Sequence, residues 1–147
     1  MRKFFAAAAA AFAALAISGC ASVENAGPIE APGVQVEYLE IVTPEVDVTC
    51  EILAAAHGIS FGDPVPELGF ARVATLAGGG RIGVRAPLRE TEETVVRPYM
   101  LVEDIEAAAA VAEAAGGAIA VPPTEIPGQG TFAIYLLGGI QHGLWQR

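Results

Sequence analysis

Gly78-Gly79-Gly80-Arg81-Ile82-Gly83-Val84 is echoed by Gly138-Gly139-Ile140-Gln141-His142-Gly143-Leu144, an offset of 60 residues from 78 to 138. Each stretch opens on glycines suited to a tight turn and places another glycine in the strand that follows. The glycines that end the two helical segments, Gly58 and Gly116, stand 58 apart. A nearly constant offset across the chain marks an internal repeat, and the repeat is the best guide to architecture.

Outward from the hairpins, both repeats open alike. The segment Val34–Val42 (VQVEYLEIV) largely alternates and is rich in β-formers, so it reads as a strand. Thr43-Pro44-Glu45 then offers a cap residue, a proline for the first helical position and an acid for the first turn. Val46, Cys50, Leu53, Ala54 and His57 share one helical face, and Gly58 stops the helix. In the second copy Arg97–Val102 is the strand and Asp104 caps an alanine-rich helix that Gly116-Gly117 ends. Several strands follow each helix with no further helix between them, which makes the class α+β.

The first twenty residues have a different character. Arg2 and Lys3 precede an unbroken apolar run from Phe4 to Ile17, and Ser18-Gly19 supplies small residues before Cys20. This is the order of an export signal and its cleavage site. The run is shorter than the roughly 20 apolar residues that span a bilayer. Cys20 resembles the lipidated cysteine of the bacterial lipobox. The resemblance implies a signal peptide over 1–19, acyl chains on Cys20 as a stable membrane anchor, and a place in the cell envelope. Ala21 in the next position implies the outer membrane, facing the periplasm. Residues 20–33, with two prolines and no periodicity, read as a tether. One folded domain should occupy 34–147.

Composition narrows the partners. Without Arg2 and Lys3, 6 of the 8 basic residues face 17 acidic ones, a net charge of −11. Nucleic acid is excluded, because phosphate binding needs a cationic surface. With Cys20 lipidated, Cys50 has no partner for a disulfide and reads as a buried, inert thiol. No Cys/His spacing fits a zinc motif. Gly78-Gly79-Gly80 lacks the Lys-Ser/Thr of a phosphate loop and reads as a turn. His57, at a helix C-terminus, and His142, inside a strand, read as structural residues.

The domain resembles the vicinal oxygen chelate superfamily of glyoxalases, bleomycin-resistance proteins and extradiol dioxygenases. The likeness is carried by Tyr38–Thr43, by Arg97–Gly117 with its Val102-Glu103-Asp104-Ile105-Glu106-Ala107-Ala108 passage from strand to helix, and by Val121–Gln146. It implies two βαβββ modules whose sheets curl around a central cleft. It also implies a divalent metal held by His, Glu or Gln on equivalent strands. Here those four positions fall on Tyr38, Gly83, Arg97 and Gly143. Glycine has no donor atom and arginine is a permanent cation, so the usual metal site is not expected, and no other cofactor is implied.

Strand alternation places Tyr38, Glu40, Arg81, Arg85, Arg97, Tyr99, Gln141 and Trp145 inside the cup. The opposite face carries Leu39, Ile41, Ile82, Val84, Met100, Val102 and Leu144, which suits packing under helices. Three arginines inside so acidic a protein suggest a place for an anionic group, unless they lie at strand ends in solvent, paired with the many surrounding acids; Tyr99 and Trp145 suggest an aromatic wall. Glu40 is the one carboxylate in that set and so the one candidate general base, unless it serves as an ion-pair partner for an arginine. Three functions fit: a lipid-anchored binder of a small anionic or aromatic molecule, a glyoxalase-like or hydroxylase-like enzyme using the same cleft, or a structural protein whose cup is an interface. The resemblance leaves a homodimer open.

Overall fold

The computed structural model describes residues 33–147; the signal segment 1–19, Cys20 and all of the tether except Gly33 lie outside the described residues. Strand β1 (Val36–Val42) leads into helix α1 (Val46–His57). Three strands follow: β2 (Pro64–Val65), β3 (Ala71–Thr75) and β4 (Arg81–Arg85). The second repeat has β5 (Val95–Leu101), α2 (Ile105–Ala114), β6 (Ala118–Ile126), β7 (Gly130–Leu137) and β8 (Ile140–Gln146). This is βαβββ twice, as expected.

All eight strands form one sheet in the order β2-β3-β4-β1-β5-β8-β7-β6. Within each repeat the first strand runs parallel to the last, β1 with β4 and β5 with β8. The repeats meet along an antiparallel seam between β1 and β5, with Tyr38 opposite Tyr99 and Glu40 opposite Arg97. The order therefore reads the same outward from the seam in both directions, and the sheet curls so that one face lines a cup.

Helices cover the other face. Cys50, Ile82 and Val84 form a buried cluster with Leu39, Ile41 and Leu53 under α1. Ile105, Ala109, Ala133 and Leu144 do the same under α2. A third cluster, of Tyr38, Leu68, Ala71, Tyr99, Ile134 and Trp145, fills the base of the cup. The period-two pattern of the strands sorts side chains between these layers as the sequence indicates.

Local signals explain the helix ends, with one correction. Asp104 caps α2, its carboxylate accepting from the Ala107 N–H at 2.9 Å. Gly58 closes α1 in the left-handed conformation, at φ 65°. Helix α1, however, begins at Val46, beyond the Thr43-Pro44 start expected. The Thr43 hydroxyl instead accepts from the Glu45 N–H at 3.1 Å, forming a side-chain turn just ahead of the helix. Gly138 and Gly139 both have positive φ, 59° and 81°, and make the two-residue turn that fixes the register of β7 against β8. Among the described residues no helix is long and apolar enough to cross a membrane.

Candidate functional site

The cup encloses a cavity of about 820 Å³, within the usual range of small-molecule sites. Tyr38, Glu40 and Arg85 line it from the first repeat; Arg97, Tyr99, Gln141 and Trp145 line it from the second. These are seven of the eight residues expected there. Arg81 does not line the cavity. It lies against the rings of Tyr38 and Trp145, its guanidinium carbon 5.5 and 5.2 Å from their centroids. There it donates to Gln129 at 2.9 Å and pairs with Glu37 at 3.5 Å.

Aromatic rings form the base of the cup. Tyr99 meets Trp145 edge-on at 5.7 Å and Phe132 at 6.1 Å, and Tyr38 tilts against both Tyr99 and Trp145. Above them a polar network crosses the seam. Glu40 accepts from Arg85 Nε at 2.7 Å, from Arg97 Nη1, and from the Tyr99 hydroxyl at 3.0 Å. Arg97 also holds the Gln141 amide oxygen through Nε at 2.8 Å. Glu40 is thus an ion-pair hub, buried among the groups it bonds.

Charge at the site follows from burial and partners. Burial, then the Glu40 charge, raises the phenols of Tyr38 and Tyr99 well above their ordinary value of 10, so both stay neutral. Burial works against the Arg85 cation, but its bonds to Glu92 and Glu40 outweigh that and raise its pKa. Bonding to Arg85 holds the Glu92 carboxyl down at about 2. Inside the cup Arg85 and Arg97 pair with Glu40 and Glu92, while Arg89, Glu67, Glu93 and Glu125, which also line it, are exposed. The arginine charges inside the cup are thus answered by carboxylates of the same chain, as in the paired alternative of the sequence reading, though buried and not in solvent.

The sequence reading missed Glu37, Glu92, Gln129 and Phe132. Glu37 is the extra residue of a bulge in β1, where the pairing jumps from Val36 to Tyr38, and its carboxylate is buried between Arg81 and Arg147. Glu92 lies outside the strands, among several acids that look alike in the sequence. Phe132 could have been found by extending the alternation of Ile134 two residues back along β7.

The four positions at which the resemblance implies a metal do not fit one. A side chain on Gly83 would collide with the hydroxyl and ring of Tyr38, and one on Gly143 would collide with the ring of Tyr99. Each glycine is a gap that the opposite tyrosine fills. Arg97, the third position, brings a cation. Tyr38, the fourth, remains a neutral phenol. Among the described residues no group of three or more His, Cys, Asp or Glu side chains could hold a metal ion. His142 points away from the cup and stacks on Tyr135 at 5.1 Å.

No family model and no curated protein matches the chain. Solved structures do. A hypothetical protein from Bacillus halodurans C-125 superposes with a TM-score of 0.62 at 12% identity, over 78% of this chain and 95% of its own. Methylmalonyl-CoA epimerase from Streptomyces coelicolor gives 0.57 at 18% identity, over 76% and 96%. The Mycobacterium tuberculosis epimerase gives 0.59 at 16%, over 78% and 87%. The fold is that of the vicinal oxygen chelate proteins. Within this fold the chain has the paired modules and the cleft, with tyrosine rings in the space over Gly83 and Gly143.

Proposed function

We propose that this chain is a lipid-anchored protein of the bacterial cell envelope whose cup binds a small molecule through an aromatic ring, without a metal at the fold's usual position. The observation that carries the reading is the base of the cavity, where the half-buried Phe132 packs on Tyr99 and Tyr99 in turn on Trp145, both of them buried. Rings prefer tilted and edge-to-face contacts at such separations, and a planar ligand would extend that packing. The Arg97–Gln141 and Arg85–Glu40 bonds stiffen the wall beside it, which lowers the entropy lost on binding. The anchor rests on the order of Arg2, Lys3, the apolar run and Cys20; Ala21 favours the outer membrane. The role that fits is to sequester or present the ligand at the periplasmic surface.

Trp145 is the only tryptophan in the chain and lines the cavity, so its fluorescence reports on occupancy. Phenol and benzamide should quench or shift its emission saturably, while cyclohexanol should bind more weakly. The same protein is exposed to Zn²⁺, Ni²⁺, Mn²⁺ and Fe²⁺ and desalted. Near-stoichiometric retention of a metal, with no response of Trp145 to any ring, would overturn the reading.

A further inference from the structure

Residues 86–94 link β4 to β5 and so join the first repeat to the second. Leu88, Arg89, Thr91 and Glu92 of this link form part of the cavity wall. One side chain ties the link down. The Glu92 carboxylate takes both terminal nitrogens of Arg85, at 2.9 and 2.7 Å, and also accepts from the Leu88 N–H at 2.6 Å. The Arg85 side chain is 7% exposed and that of Glu92 19%. A connecting segment thus commits a carboxylate to the inside of the cup, in the two-toothed geometry that any planar carboxylate makes with a guanidinium.

We infer that Glu92 is a tethered stand-in for a ligand carboxylate, and that the cup takes aromatic carboxylates by exchange. The ligand's carboxylate occupies Arg85, Glu92 swings out, and the link opens to admit the ring. This rests on the aromatic reading of the cup above. Charge is the reason exchange is required. The buried cations Arg85 and Arg97 are already paired with Glu40 and Glu92. A further carboxylate placed beside Glu40 and Glu92 would add an unanswered buried charge, whereas replacing Glu92 leaves the balance unchanged. A tethered group also competes at high effective concentration. The intact chain should therefore bind such ligands weakly, and a chain without the Glu92 carboxylate should bind them well.

Benzoate and its uncharged analogue benzamide are titrated against the wild-type domain and Glu92→Ala, with Trp145 fluorescence as the readout. Benzoate should bind Glu92→Ala at least about tenfold more tightly, as expected when a competing internal state is removed, and benzamide equally in both. Benzoate affinity that is equal or weaker in Glu92→Ala overturns the inference. Should that variant not fold, limited trypsin digestion of the wild type replaces it. Benzoate should then speed cleavage after Arg89 and benzamide should not; no acceleration by benzoate also overturns the exchange. If both compounds bind and only the effect of Glu92 is missing, exchange fails and the aromatic cup stands. If neither compound perturbs Trp145 in either protein, the aromatic cup fails and the exchange with it.

Discussion

The Tyr38 side chain lies across Gly83, with its hydroxyl in the space that a side chain at that position would occupy. Tyr99 stands over Gly143 in the same way. The two glycines are thus tied to two tyrosines, and a side chain at either glycine requires the tyrosine to move. Gly83→Ala should destabilise the domain by about 1–3 kcal/mol, the usual effect of overpacking a filled core. In a Tyr38→Ala background the same substitution should do far less harm. Urea denaturation of the four proteins in a double-mutant cycle measures the coupling, and simple additivity would show that the two do not share space.

Arg81 separates stability from binding. It sits beneath the rings, bonded to Gln129 and Glu37, and does not line the cavity. Arg81→Ala removes one of the two cations answering the buried Glu37, the other being Arg147. A loss of about 1–3 kcal/mol is expected, because Glu37 loses an ion-pair partner and Gln129 a hydrogen-bond donor. Affinity of the cup for phenol should be nearly unchanged in Trp145 titrations, whereas loss of phenol binding with stability intact would put Arg81 in the site.

Acid should loosen the link between the repeats. The Glu92 carboxyl titrates near pH 2 in the folded protein against an ordinary value of 4.5, because Arg85 holds its ionised form. A depressed carboxyl contributes stability above its unfolded pKa and loses it as pH falls toward the folded one. Thermal midpoints should therefore drop between about pH 4.5 and pH 2, and Glu92→Gln should flatten that part of the profile. An unchanged slope in Glu92→Gln would assign the acid sensitivity elsewhere.

At alkaline pH the sign reverses. Tyr38 and Tyr99 have phenols raised by burial and by Glu40, so the folded state holds their protons more tightly than the unfolded chain. Their contribution is complete below pH 10 and is lost as pH rises above it. Ultraviolet titration should show these two phenols ionising together with unfolding. Ionisation of either while the fold persists would contradict their burial.

Lipidation is tested by labelling. The chain expressed in a Gram-negative host should incorporate radiolabelled palmitate and fractionate with the outer membrane. Cys20→Ala should abolish the label and release the protein from the membrane fraction. Cys50 is buried under α1, with its thiol pKa raised by burial, so a Cys20→Ser chain should react with a thiol reagent only on unfolding. Label retained in Cys20→Ala would place the acyl group on another residue.

Much of the cup could be read from period two alone. Once the strands were placed, Tyr38 and Glu40, Arg97 and Tyr99, and Gln141 and Trp145 had to share a face, and the repeat set those strands side by side. Two kinds of information did not survive in the sequence. The bulge that turns Glu37 inward adds one residue to β1, and the strand's alternation alone does not mark where it falls. Glu92 acts through a loop whose path depends on the finished sheet, so nothing local distinguishes it from Glu90 or Glu93. Period two places Arg81 on the cup face, but the rings of Tyr38 and Trp145 lie between it and the cavity, and a face assignment carries no depth.

The seam between β1 and β5 bears on how this chain could come apart. Glu40 bonds Arg97 and Tyr99 across it, Tyr38 packs on Trp145, and Glu37 reaches Arg147. Each half completes its interior with side chains borrowed from the other. The halves should therefore melt in a single cooperative step, and a lone repeat released by a protease or encoded by a shortened gene would have no finished interior. The matched positions of the two closing strands have different chemistry, Arg81 and Arg85 in β4 standing where β8 carries Gln141 and Trp145, so the half-interiors are complementary and two identical copies would not reproduce them.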